Sequence, residues 1–242
     1  MRIAIPTYKR SDKQLTLELL EKENYPKDKI YLFVEPREKD DYKQYGVNIV
    51  VLKASNGNMS MVNNQILDFM KSQQYLWVCD DVYEFKKVNG KKGNYWLYEN
   101  CSFQELAEGV RTMLTGCVVV QIPTERRGVL KKSTKRWTMI TNLHTCYFVN
   151  PGLLGSIRYD EKFKICEDYD FGYQLLSNGM GAIIDYRFTH NAKHWTNKGG
   201  CIGWRTKEMA KQTTIQFKKK YGDMVKTIFN KTSGMVEVRW KN

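Results

Sequence analysis

The chain has no apolar run approaching the roughly 20 residues that a membrane-spanning helix needs, so no such span is predicted. Its opening, MRIAIPTYKR, offers only a short apolar strand bounded by proline and charge, too short for the core of a signal peptide, and a cytoplasmic protein is expected. Cysteine is present but never clustered. The six residues at 79, 101, 117, 146, 166 and 201 form no C-x-x-C and no metal-ligand spacing, and several fall in apolar strand-like contexts, so reduced structural thiols are expected. Histidine is scarce, with three in 242 residues. Internal repeats, low-complexity tracts and Pro/Ser linkers are missing too, which predicts one continuous domain over residues 1–242.

What is present is a globular composition with a surplus of positive charge. A hydrophobic fraction of 42% with 13% aromatics excludes a disordered chain and gives room for a substantial core. Lys and Arg exceed Asp and Glu by 13, and the pI is near 9.3. A field of that sign draws phosphates and speeds their encounter, so a nucleic-acid partner is expected over mere solubility.

The N-terminal third alternates apolar runs with helical patterns: strands at 3–5, 30–34, 47–52 and 75–79, helices at 11–23, 39–45 and 60–72. This βαβαβαβ order predicts an α/β fold with a mostly parallel sheet, and strands apolar throughout fit helices on both faces. Ligands in such folds bind beyond the strands' carboxyl ends. The second half is less regular. Ser102 with Glu105 has capping-box spacing for a helix to about 114, strands are expected at 118–122, 146–149, 182–185 and 235–240, and a helix at 205–221.

One stretch, YDEKFKICEDYDFGYQLLSNG at 159–179, joins an acidic run to an amphipathic helix that Asn178-Gly179 should stop. Glu167, Asp168 and Asp170 then stand at a helix N-terminus, where the macrodipole favours carboxylates, and any of them suits a general base. A second acidic pair, Asp80-Asp81, directly follows the strand YLWVC. Two carboxylates at a strand end suit a hard divalent cation accompanied by a diphosphate. His190 and His194 follow another strand end and are candidates to complete such a site, ahead of a Gly-rich stretch at 199–203 that reads as a lid. Arg126, Arg127, Lys131, Lys132, Lys135 and Arg136 form an acid-free basic segment ending on Trp137, and Lys86, Lys87, Lys91 and Lys92 precede the aromatic run Tyr95-Trp96-Leu97-Tyr98. Interleaved charge and aromatics suit a phosphate backbone with a stacked base, so both are expected to bind an acceptor.

These residues carry a resemblance. IAIPTYKR looks like the first strand and loop of nucleotide-sugar-dependent glycosyltransferases of the GT-A fold. The stretch from Gly57 through Asn63 to Cys79-Asp80-Asp81 is similar to their helix leading into the DxD strand. The 159–179 segment resembles their acidic helix. Within that fold the chain most resembles the phage TET-associated glycosyltransferases, which modify 5-hydroxymethylpyrimidines in DNA, with the closing strand at 236–240 also in keeping. The resemblance implies a GT-A, Rossmann-like domain with a nucleotide-sugar-binding half at 1–81 and an acceptor-binding half at 82–242. It implies Asp168 as the base with Glu167 beside it, Asp81 and His194 as metal ligands, and Asp80 facing the ribose. Pro6, Thr7, Tyr8, Arg10 and Asn63 would then contact the nucleotide sugar. Cys79 departs from the pattern, standing where many members have the first Asp of the DxD.

The expected function is transfer of a sugar from a nucleotide sugar, UDP-linked, to the hydroxyl of 5-hydroxymethylcytosine or 5-hydroxymethyluracil in DNA, assisted by Mn2+ or Mg2+, in the host cytoplasm if the chain is phage-encoded. Two other readings fit the sequence: a GT-A transferase for a glycan or protein acceptor, and a non-catalytic DNA-binding protein on a degenerate transferase scaffold.

Overall fold

Period-two alternation in the first strands decides how the sheet is covered. In the computed structural model, which describes residues 1–129, 136–139, 142–193, 206–229 and 236–240, strand β1 (Arg2–Pro6) points Ile3 and Ile5 to one face and Ala4 to the other. The first face packs on helices α1 (Leu15–Lys22) and α3 (Phe103–Arg111) through Leu17, Leu20, Phe103 and Leu106. The second packs on α2 (Met59–Met70) and α5 (Glu167–Ser177) through Val62, Ile66, Phe171 and Leu175. Apolar residues on both faces of each strand follow from this double cover, as the sequence predicts.

The main sheet adds β2 (Ile30–Val34), β3 (Asn48–Val51), β4 (Tyr75–Val78), β7 (Val119–Gln121), β8 (Trp137–Met139), β9 (Cys146–Val149) and β10 (Ala182–Asp185) in the order β3-β2-β1-β4-β9-β7-β10-β8. β1, β2, β3 and β4 pair in parallel, as do β7 and β10. β9 runs the opposite way between β4 and β7, with Val78 opposite Cys146 and Gln121 opposite Tyr147. The residues entering β9 therefore lie at the edge where β4, β7 and β10 end. β8 is a second reversed strand, at the outer border of β10.

Two local expectations shift for identifiable reasons. The helix predicted from 11 begins at Leu15, because Gln14 spends its side-chain amide on Thr7 Oγ1 (2.9 Å) and the Arg10 carbonyl (2.8 Å), holding 7–14 as a loop. The short helix predicted at 39–45 is a 3-10 helix, Pro36–Tyr45, entered through Pro36. The capping box holds, with Ser102 Oγ accepting from the Glu105 amide and the Glu105 carboxylate accepting from the Ser102 amide. α5 ends as expected, with Asn178 at its C-cap and Gly179 in the left-handed region at φ 69°.

The lysine-rich stretch after Asp81 is a hairpin, β5 (Val82–Lys92) and β6 (Tyr95–Asn100), extended by β11 (Phe188–Ala192) into a three-stranded sheet. So His190, expected after a strand end, lies inside a strand. Two more strands, β12 (Val225–Phe229) and the expected closing strand β13 (Val236–Trp240), pair antiparallel after α6 (Lys207–Tyr221). Phe217, Tyr221, Val225 and Val238 bury this corner against Phe163. Among the described residues no helix is long and apolar enough to cross a membrane. Cys79, Cys101, Cys117 and Cys146 are free thiols, as expected.

Candidate active site

The loop after β1 is pinned to the acids after β4 by a fully accounted hydroxyl. Thr7 Oγ1 donates to Asp80 Oδ2 (2.7 Å), accepts from Gln14 Nε2 (2.9 Å), and lies 3.1 Å from the Tyr42 hydroxyl. With the Thr7 proton given to Asp80, Tyr42 donates to Thr7 and accepts from the Arg10 amide at 3.2 Å. Burial pushes the Tyr42 phenol up to about 12, so it stays protonated for this work. Lys9 sits in the left-handed region at φ 54°, its amide shared between the two Glu38 carboxylate oxygens at 3.0 and 3.1 Å. Pro6 and Tyr8 flank Thr7 in the same half-buried loop.

Asp80 and Asp81 are each only 4% exposed. Arg10 Nη1 is bonded to Asp80 Oδ1 and lies 3.5 Å from Asp81 Oδ2, so one nitrogen faces both carboxylates. Burial lifts the Asp80 carboxyl above its usual range, the Arg10 charge and the Thr7 hydrogen bond pull it back only in part, and Asp81 adds to the rise. For Arg10 burial opposes the charge, but Asp80 and Asp81 outweigh it and the guanidinium is held more firmly protonated than usual. Cys79, directly before the two acids, donates its S–H to Asp81 Oδ1 at 2.9 Å. Burial and then the Asp81 charge push that thiol well above its ordinary value, so it acts as a donor rather than a thiolate.

The second acidic group reaches the same edge through the residues that enter β9. The Cys79 amide donates to the Thr145 carbonyl (3.0 Å), while Asn142 Nδ2 lies 3.5 Å from Asp168 Oδ2 and the Leu143 amide 3.4 Å from the Asp168 carbonyl. Residues 142–145 thus link the segment after β4 to the first turn of α5. Asn142 Nδ2 also contacts His144 Nε2 at 2.8 Å, and the His144 amide donates to Gln121 Oε1 at 3.3 Å. Asn142, His144 and Gln121 were not singled out by the sequence. An isolated Asn-Leu-His carries no spacing signal, and only the reversed β9 brings it here. Cys166 caps α5 in a left-handed conformation (φ 59°), an uncommon geometry for cysteine, and sets Glu167 and Asp168 in the first turn.

The acids of the 167–170 run divide sharply. Asp170, considered as a base on sequence grounds, is fully buried: it accepts from Lys220 Nζ (2.6 Å), from the Tyr221 hydroxyl and from Gln174 Nε2 (2.8 Å). It fastens α5 to α6. Asp168 is half-buried beside Asn142, and Glu167 is more deeply enclosed. Asn63, expected at the nucleotide, lies between α2 and β4 with its side-chain carbonyl accepting from Trp77 Nε1 at 3.1 Å. His190, a candidate metal ligand, is buried within β11 and bonded to Thr145 Oγ1 at 2.8 Å, so it ties β11 to the residues entering β9. His194 lies outside the described residues.

The basic segment is partly placed. Arg126 and Arg127 are exposed on the short helix α4 (Glu125–Val129), four residues beyond β7. Gly128 permits its close seat on the neighbouring sheet, since a Cβ there would stand 2.5 Å from Thr189 Cγ2 and 2.7 Å from the Tyr98 hydroxyl. Arg136 is exposed, and Trp137, 54% exposed, sits opposite Asp185 at the end of β10. These side chains share the active edge with Asp80 and Asp81. Lys131, Lys132 and Lys135 lie outside the described residues. Of the other lysine patch, two of the four are paired with acids: Lys86 with Glu84 and Glu125, Lys87 with Glu99 and Glu105.

The fold is that of solved GT-A glycosyltransferases. S. aureus TarS, residues 1–349 in complex with UDP, superposes with a TM-score of 0.53 at 19% identity, over 78% of this chain and 59% of that one. The chain thus spans less than two thirds of that relative. Glucosyl-3-phosphoglycerate synthase from Mycobacterium tuberculosis, solved with Mn2+, UDP and phosphoglyceric acid, gives a TM-score of 0.53 at 10% identity, over 99% of this chain and 86% of that one. No curated protein matches the chain in sequence. The family model described as TET-Associated Glycosyltransferase matches residues 1–200, the span from the Thr7 loop through both acidic groups. The chain has the GT-A fold and belongs to the TET-associated glycosyltransferase family.

Proposed function

We propose that this enzyme moves a sugar from a UDP-linked donor to the hydroxymethyl group of a 5-hydroxymethylpyrimidine in DNA, with Asp168 as general base. The observation that carries the reading is the linkage of Asp168 to the Asp80-Asp81 edge through residues 142–145. A base must face the acceptor hydroxyl while the donor diphosphate leaves from the other side, and two acidic groups at one edge are suited to that division. A UDP donor is supported by the UDP held by both structural relatives. A DNA acceptor is supported by the family description, the net charge of +13, and the exposed Arg126, Arg127, Arg136 and Trp137 at the same edge. The acceptor base has to leave the duplex to meet Asp168.

A divalent cation fits the donor set. Asp81 offers hard carboxylate oxygens, and the adjacent Cys79, kept as a thiol, does not compete as a soft ligand. Among the described residues no group of three or more His, Cys, Asp or Glu could hold a metal ion; on the resemblance to GT-A transferases, Asp81 would hold the ion with the diphosphate and His194. Bound there, Mn2+ or Mg2+ supplies charge that stabilises the departing diphosphate. The chain's own residues do the rest: Thr7 fixes the Asp80 carboxylate, and Asp168 accepts the proton of the attacking hydroxyl.

Incubation with a panel of UDP-sugars and either hydroxymethylated or unmodified DNA, read by mass spectrometry, tests this. A hexose-sized mass gain on hydroxymethylated DNA alone is expected, and Asp168→Asn should slow it by about 10²–10⁴-fold. No gain with any donor would remove the DNA acceptor, and full activity in Asp168→Asn would remove the base.

A further inference from the structure

Arg10 raises a question that the transfer reaction leaves open. Its side chain is 11% exposed, its Nη1 is bonded to Asp80, and the same nitrogen stands 3.5 Å from Asp81 Oδ2. The residue that would carry a divalent cation therefore already faces a cation of the protein itself. The loop bearing Arg10 is not casually placed. Its amide is held by Tyr42 and its carbonyl by Gln14, and both partners also bind Thr7, which holds Asp80. A guanidinium beside two buried carboxylates compensates part of their charge in a low-dielectric edge. A divalent ion on Asp81 would meet that guanidinium at close range, and like charges repel strongly where water is excluded. A diphosphate changes the balance, because planar guanidinium groups also pair with phosphate oxygens.

We propose that Arg10 is the resident counter-cation of the Asp80-Asp81 pair, and that a nucleoside diphosphate must draw it away before a divalent cation settles on Asp81. Metal and nucleotide then bind in a coupled order, nucleotide enabling metal. This rests on the reading of Asp81 as a metal ligand and adds to it the control of that site. Thr7 keeps its bond to Asp80 when Arg10 leaves, so one of the two acids stays anchored throughout.

The test is titration of the full chain with Mn2+, followed by calorimetry and by the electron paramagnetic resonance signal of free Mn2+, without nucleotide and with saturating UDP. The Mn2+ bound by UDP in protein-free controls is subtracted. Wild type should bind Mn2+ at least tenfold more tightly with UDP than without it. Arg10→Gln, which keeps a donor for Asp80 but no charge, should bind Mn2+ without UDP at least tenfold more tightly than wild type, and the gain from UDP should shrink. Arg10→Lys, which keeps the charge, should stay close to wild type and serves as the second variant if Arg10→Gln melts early. Asp81→Asn should bind weakly in both conditions. If Arg10→Gln binds Mn2+ alone no better than wild type while UDP still strengthens binding, the counter-cation role is overturned and Asp81 remains the ligand. Where UDP does not bring Mn2+ onto wild type at all, the metal reading fails and the ordering fails with it.

Discussion

Asp168 and Asp170 stand two positions apart in one helical turn, and the structure gives them opposite consequences on substitution. Asp170→Ala removes the acceptor for three donors from a fully buried site. Lys220 is 32% exposed and keeps Asp160 at 2.9 Å, so its share of the loss is softened by water and by a remaining partner. Tyr221 is 8% exposed, and its hydroxyl loses the acceptor it was built around, at a cost of about 1–3 kcal/mol. With the charge-assisted Lys220 bond discounted to about 1 kcal/mol, the total is about 2–4 kcal/mol. For a chain of this size that lowers Tm by roughly 4–16 °C. Asp168→Asn removes only one favourable charge from a helix N-terminus, about 0.3–1 kcal/mol, or a few degrees at most. Its expected effect lies in turnover, about 10²–10⁴-fold. Circular dichroism melts of both variants, paired with transfer rates measured well below either Tm, separate the two. Asp170→Ala should melt early yet retain the wild-type rate within about threefold per folded molecule. A normal Tm with a hundredfold slower Asp170→Ala enzyme, or an early-melting Asp168→Asn enzyme with normal turnover, would refute the division of labour drawn from the α5–α6 contact.

Other outcomes follow from packing and charge. Gly128→Ala places a methyl within 2.5 Å of Thr189 Cγ2 and should cost about 1–3 kcal/mol as overpacking, seen as a lowered Tm. Because that shift lifts α4, DNA affinity through Arg126 and Arg127 should fall alongside, and unchanged melting would show that α4 is not seated on Thr189. At Glu125 burial opposes the charge, but hydrogen bonds from Asn191 and Lys86 and the Lys86 charge outweigh it, so its folded carboxyl lies below its ordinary 4.5. A depressed folded value stabilises above the unfolded one and is lost as pH falls through the folded one. The stability gap between wild type and Glu125→Gln should therefore be present at pH 7 and close as pH falls through the depressed folded value, and a gap that is constant with pH in urea melts would contradict the pairing.

The sequence carried the features set by local chemistry. Alternating apolar strands, the Ser102–Glu105 box, the Asn178-Gly179 stop and the acids at the start of α5 all depend on neighbours within a few positions, and all are where the pattern placed them. What it could not carry depends on partners far along the chain. Nothing within Glu-Asp-Tyr-Asp tells that the last acid meets Lys220, fifty positions on, while Asp168 turns to Asn142. Arg10 reads as a contact for the nucleotide sugar alone until β1 and β4 become neighbours and set it against Asp80. Lys86 and Lys87 read as free charge because their acids, Glu125 and Glu105, arrive from two separate helices.

The direction of β9 has a consequence for how this enzyme tolerates change. With Phe148 in one core and Tyr147 in the other, a slip of one residue would exchange them between cores. The same slip would carry residues 142–145 about 3.3 Å along the edge, past Cys79 on one side and Asp168 on the other. The spacing between the two acidic groups is thus measured off by a four-residue strand, Cys146–Val149, whose own side chains never enter the chemistry assigned above. A single insertion in that strand should disable transfer as completely as loss of either acid, and it marks where a designer altering acceptor choice should leave the chain length alone.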